Sequence, residues 1–186
     1  RDKLVTGVQT CALPICGVGK DTVIDRWRAV NPYVKRVVAY TTRSPRQGET
    51  NGTDYHFVSV ARFLQLVEEG AFLEHKEVHG NYYATPLHVM EGMLEAGQIA
   101  ILKIDVQGAL AVMKLRSDAT TIFLLPPSTE ELERRIRSRG TDDHSVIEKR
   151  LKNAREEIAL ADRYQRRIVN DDIERVIAEL QEIAGG

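Results

Sequence analysis

The stretch Gly17-Val18-Gly19-Lys20-Asp21-Thr22, a glycine-lysine turn running into a helical pattern, constrains this chain more than any other. Such a turn curls consecutive backbone N–H groups around an anion while its lysine reaches the outer phosphate oxygens. From Lys20 to Val30 the apolar residues Val23, Ile24, Trp27 and Val30 recur at helical spacing, and Asn31-Pro32 stops the run. The N-terminus of that helix, with its unpaired N–H groups, faces the same anion. These six residues are therefore the expected phosphate-binding set. The motif is not complete, because a full loop reads G-x-x-x-x-G-K-[ST]. Pro14 holds the first glycine position, which removes one N–H and fixes φ. Asp21 stands where a hydroxyl usually meets Mg²⁺, with Thr22 one residue later. A glycine-lysine turn also occurs in ordinary loops, so the rest of the chain has to decide.

An α/β nucleotide-binding unit places a buried β-branched strand directly before such a loop. Residues 1–16 break that pattern with Gly7, Gln9, Thr10 and Pro14. Residues 5–15 instead resemble the translation of a sequencing-adapter read, and the expectation is that this terminus is not native; a divergent first strand is the other reading. Cys11 and Cys16 are the only cysteines and lack the clustered partners of a metal site. With 186 residues, 42% of them hydrophobic, the chain is sized for one core. A net charge of −1 makes no global case for nucleic acid or an anionic membrane, and no apolar run is long enough to span a bilayer. A cytoplasmic protein without membrane or nucleic-acid partners is expected.

Past the first helix, Tyr33 to Tyr40 reads as a core strand. It delivers Thr41-Thr42-Arg43-Ser44-Pro45-Arg46-Gln47-Gly48-Glu49 at its carboxyl end, where open α/β sheets bind ligands. Two guanidinium forks three residues apart match phosphate oxygens, although on spacing alone a solvated loop explains them as well. Residues 60–69 form a short amphipathic helix, and 70–78 with 80–86 read as a hairpin. A β-rich flap thus interrupts the helix-strand alternation. Alternation resumes with a helix over 87–96 and a buried strand over 98–104 that ends at Asp105. An acid at that place steadies Mg²⁺ in phosphoryl-transfer sites, but a lone Asp there is also an ordinary helix cap. Residues 120–125 form another strand, and Ser128 with Glu131 fits a capping box. The basic run Arg134-Arg135-Ile136-Arg137-Ser138-Arg139 and a second helix with Lys149, Arg150, Lys152 and Arg155 read as solvated helices or as a lid for a polyphosphate. Residues 167–170 make a short edge strand and 173–183 a terminal helix.

From Lys20 onward this order resembles the guanylate kinase family of P-loop nucleoside monophosphate kinases. The motifs that carry the resemblance are Thr41-Thr42-Arg43-x-Pro45-Arg46-x-Gly48-Glu49, Gly52-x-Asp54-Tyr55-x-Phe57, Phe72-Leu73-Glu74, Gly80-Asn81-x-Tyr83, Ile104-Asp105-x-Gln107-Gly108 and Arg139-Gly140-Thr141. The resemblance implies a three-layer α/β/α fold with a central parallel sheet, a small β-rich GMP-binding subdomain and a helical lid, all in one domain. The core would comprise 1–40, 86–130 and 156–186, the flap 41–85 and the lid 131–155. It implies transfer from ATP to GMP, and to dGMP, with Mg²⁺, by a monomer or homodimer. Arg43, Arg46, Tyr55 and Tyr83 would grip the GMP phosphate. Glu74 would accept from guanine N1–H and the 2-amino group, Thr85 would donate to the base, and Asp105 would lie near guanine and the metal-bound phosphates. Lys20, Arg43, Arg139 and Arg150, with Arg135 nearby, would spread the charge of the transferring phosphoryl. Asp21, Thr22 and Asp105 would be the metal candidates.

The chain also departs from the family pattern. Ala39, Ala84 and Lys103 replace a serine, a glycine and an acid, and Gln165-Arg166 replaces Asp-Tyr. Because the loop is incomplete, a catalytically impaired module that binds nucleotide or protein is the alternative; a kinase for another nucleotide is weakened by Glu74 and Thr85 together. Replacing residues 1–16 with a β-strand ending in Gly-Pro-Ser is expected to raise turnover far more than GMP affinity. Equal turnover in a coupled ADP-release assay would refute that.

Overall fold

The computed structural model describes residues 9–10, 18–78, 80–138 and 144–185. Gly17 and Arg139, with Pro14, Ile15 and Cys16, lie outside the described residues. Helices and strands alternate much as the apolar spacing predicts. In chain order they are β1 (Gln9–Thr10), α1 (Lys20–Val30), β2 (Val34–Val37), β3 (Tyr40–Thr41), β4 (His56–Phe57), α2 (Val60–Glu68), β5 (Phe72–Val78) and β6 (Asn81–Pro86). There follow α3 (Leu87–Glu95), β7 (Ile99–Leu102), α4 (Val106–Leu115), β8 (Thr120–Leu125), α5 (Thr129–Arg137), α6 (His144–Ile158), β9 (Arg166–Val169) and α7 (Ile173–Gly185).

Two parallel ladders form the centre. β2 pairs with β7, and β1-β8-β9 form the other, with β1 alongside β7. All four residues of β7 are buried, as expected of a strand covered on both faces. Its alternate side chains enter different cores. Ile99 and Ile101 join Val23, Ile24 and Trp27 of α1 and Val176, Ile177 and Leu180 of α7. Ala100 and Leu102 join Met90 of α3 and Val112 of α4. Helices therefore cover both faces of the sheet, and the period of two along β7 assigns each layer its partners.

The expected strand over 33–40 divides in two. β2 ends at Val37, and β3 crosses into a second, four-stranded sheet of order β4-β3-β6-β5. In it β3 pairs antiparallel with β6, and β5 with β6. Its outer side is closed by α2, whose Ser59 cap accepts from Arg62 N–H at 3.2 Å and whose fully buried Phe63 meets Phe72 and Tyr82 at ring distances of 5.1 and 5.3 Å. Gly80, at φ +76°, supplies the left-handed turn residue between β5 and β6. The helix α4 is an addition to the sequence expectations. Its apolar residues surround it too evenly to show a helical stripe, because both cores touch it.

Trp27 is the largest fully buried side chain and joins α1 to the parallel sheet. Trp27→Ala is expected to lower the unfolding free energy by about 3–5 kcal/mol, read from the urea midpoint at constant slope. Val30→Ala, on the exposed side of the same helix, should change it by less than about 1 kcal/mol.

Candidate active site

The turn before α1 is held from outside itself. Gly19 sits at φ +90°, a conformation that favours glycine, and a Cβ there would lie 2.9 Å from the Asn170 amide nitrogen. Asn170 Nδ2 donates to the Val18 carbonyl at 2.6 Å, and Arg135 Nη1 approaches the same oxygen at 3.4 Å. The residue after β9 and the last turn of α5 thus position the turn from which Lys20 enters α1. Asn170 is a site residue that the sequence reading does not single out. Its only local signal is an amide at the end of a strand.

A cavity of about 170 Å³ opens between this loop, the second sheet and the start of α4. It brings together six of the expected residues, Lys20, Tyr55, Glu74, Tyr83, Thr85 and Asp105. Glu74 is 8% exposed and accepts the Thr85 hydroxyl at 2.7 Å; the two face each other across β5 and β6. Gly108 packs over the carboxylate, where an added Cβ would come within 3.2 Å of Glu74 Oε2. Of the two roles open to it in the sequence, Asp105 takes the helix cap. It caps α4 by accepting from Gly108 N–H at 3.0 Å, and it faces the cavity.

The paired arginines lie just outside this lining. Arg43 forms a two-pronged bridge to Glu49 at 2.8 and 2.9 Å, and its guanidinium stands 5.6 Å from the Tyr55 ring centre. The same carboxylate takes Arg46 N–H at 2.7 Å, which folds the loop around it. The Arg43 fork holds the Glu49 carboxyl below its usual range. Arg46 itself is exposed, and Arg150 lies half-buried on α6. At α5, Ser128 Oγ accepts from Glu131 N–H at 3.1 Å. The Glu131 carboxylate binds Arg134 and Arg135, both at 2.7 Å, so the expected reciprocal box has its serine half bound and its glutamate turned to arginines.

The metal candidates are engaged by lysines. Lys103 Nζ donates to Asp21 at 2.7 Å, with Arg36 at 3.9 Å, and Lys76 ion-pairs with Asp105. Burial raises the Asp21 carboxyl, but the Lys103 hydrogen bond and the charges of Lys103, Arg36 and Lys20 outweigh it and hold it below its usual value. Thr22 is exposed, and no group of three or more His, Cys, Asp or Glu comes together among the described residues. This donor set does not fit a metal ion resident in the protein.

Comparison with known proteins decides the family. The guanylate kinase family model matches residues 13–185. The chain belongs to the guanylate kinase family. It is 46% identical over 165 residues to a guanylate kinase of Nitratidesulfovibrio vulgaris, covering 89% of this chain and 80% of that one. It is also 46% identical to one of Parasynechococcus marenigrum, covering 91% and 93%. Among solved structures, a guanylate kinase from Anaplasma phagocytophilum superposes with a TM-score of 0.76 at 33% identity, covering 96% of this chain and 85% of that one. The SH3-kinase fragment of tight junction protein 3, at 10% identity and a TM-score of 0.53, shares the fold alone. No helix among the described residues is long and apolar enough to cross a membrane.

Beside this cavity, a second hollow is lined by Asp105 and Gln107 at the start of α4 and by Asn153 and Glu157 of α6. Burial pushes the Glu157 carboxyl up to about 7 from the ordinary 4.5, against the pull of Lys20 and Lys76. Between those values the folded chain binds more protons than the unfolded one, so this group's contribution to stability falls as pH rises from 4.5 through 7. The thermal midpoint of Glu157→Gln is therefore expected above that of the parent at about pH 8, with the gap closing as pH approaches 4.5. An unchanged gap across the range would contradict the raised value.

Proposed function

We propose that the chain transfers a phosphoryl group from ATP to GMP, giving ADP and GDP, and that it accepts dGMP by the same contacts. The observation that carries this reading is the buried Glu74 carboxylate on the cavity wall, with Thr85 bonded to one oxygen and Gly108 packed beside the other. A carboxylate withdrawn from water needs donors, and guanine offers two, N1–H and the 2-amino group, on one edge. Adenine offers an acceptor at N1 and would leave the carboxylate unpaired, so the cavity discriminates by desolvation as well as by contact. Family membership supports the same substrates.

The remaining roles follow from position. Tyr83 and Tyr55, with Arg43 behind them and Arg46 on the adjoining loop, would grip the GMP phosphate. Lys20, at the start of α1, would meet the transferring phosphoryl beside the N–H groups of Val18, Gly19, Asp21 and Thr22, with Gly17 completing the loop. Residues 41–85 would act as a flap and 131–155 as a lid carrying Arg139 and Arg150 to the phosphates. Phosphoryl transfer depends on positioning and on cations around the equatorial oxygens, and this arrangement supplies both. Mg²⁺ enters as part of the ATP substrate, and no protein ligand is assigned to it. The reading as a binding module without turnover has no specific observation in its favour, since Lys20 lines the cavity.

In a coupled assay ADP should form with GMP and little should form with AMP or CMP. Glu74→Gln should lower kcat/KM for GMP about a hundredfold, the scale of losing charge-assisted bonds to two donors, and should narrow the preference over AMP. Equal use of AMP and GMP by the parent chain would overturn the assignment.

A further inference from the structure

Lys76 has no role in the reading above, yet it lines the same cavity as Lys20, Glu74 and Tyr83. The β5–β6 hairpin presents its residues in rungs. Glu74 stands opposite Thr85, and two residues further along β5 Lys76 stands opposite Tyr83. Alternate residues of a strand share a face, and directly opposite residues have Cβ atoms about 4.5–5.5 Å apart. One rung therefore carries the carboxylate and hydroxyl that suit guanine. The next, on the same face, carries an ammonium beside the phenol assigned to the phosphate.

The ammonium of Lys76 is ion-paired with Asp105, and its side chain is only 19% exposed. An ammonium drawn out of water needs anionic partners, and its three donors can serve more than one. Asp105 supplies one such partner. A dianionic phosphate monoester entering beside Tyr83 supplies another, with more acceptor oxygens and more charge. We propose that Lys76 is a substrate-contact residue that binds the phosphate of the nucleoside monophosphate, adding a cation on the acceptor side of the transfer. This rests on the reading of the cavity as the GMP site.

The test compares binding of GMP and of guanosine, which has the same base and no phosphate, to the full chain by calorimetry. The parent, Lys76→Met and Lys76→Arg are measured side by side. Lys76→Met should weaken GMP binding about ten- to a hundredfold, the range of one charge-assisted contact, and leave guanosine binding within about twofold. Lys76→Arg should recover most of the GMP affinity. Unchanged GMP binding in Lys76→Met, or an equal loss for both ligands, would overturn the proposal, because the lysine would then serve only Asp105 or the fold. Failure of the parent chain to bind either ligand would instead overturn the GMP site itself.

Discussion

Three distant parts of the chain meet at one backbone oxygen, the carbonyl of Val18. It accepts from Asn170 at the end of β9 and lies within reach of Arg135 on α5. A turn made of glycines gains little order from its own side chains, so its shape has to be imposed by neighbours. The buried amide of Asn170 imposes it from below, against a glycine that admits no Cβ. The turn that leads into Lys20 and the start of α1 is held by that anchor.

The cavity wall depends on a different device. β3 leaves the parallel layer and joins β6, so a single stretch of chain links the core to the sheet that bears Glu74, Lys76, Tyr83 and Thr85. The stack of Phe63 on Phe72 and Tyr82 fixes that sheet from the side away from the cavity. Aromatic packing behind and hydrogen bonding in front thus hold the rung of Glu74 and Thr85 at a set depth.

Much of this was legible in the residues. Val23, Ile24 and Trp27 marked α1, the span 120–125 marked β8, and the glycine-rich and arginine motifs named the family. The division of 33–40 into β2 and β3 was not legible, because the run of apolar and β-favouring residues is continuous and only the pairing partner changes. α4 was hidden by being apolar on more than one side. Asn170 and Lys76 escaped notice for a related reason. Asn170 acts on a residue 152 positions away, and Lys76 acquires meaning only from the rung it shares with Tyr83. Local patterns report propensity and burial, whereas these two residues matter through what the fold brings to them.

The pairing of charges around the cavity has a kinetic consequence. Arg43 is matched by Glu49, Lys103 by Asp21 and Lys76 by Asp105. Opposite charges a few ångströms apart cancel at distances beyond a Debye length, so these three pairs project little field into the solvent. An incoming nucleotide is then not drawn from afar by them. On the proposed reading it would trade places with carboxylates at contact, so that these three pairs would select among anions by exchange inside the site.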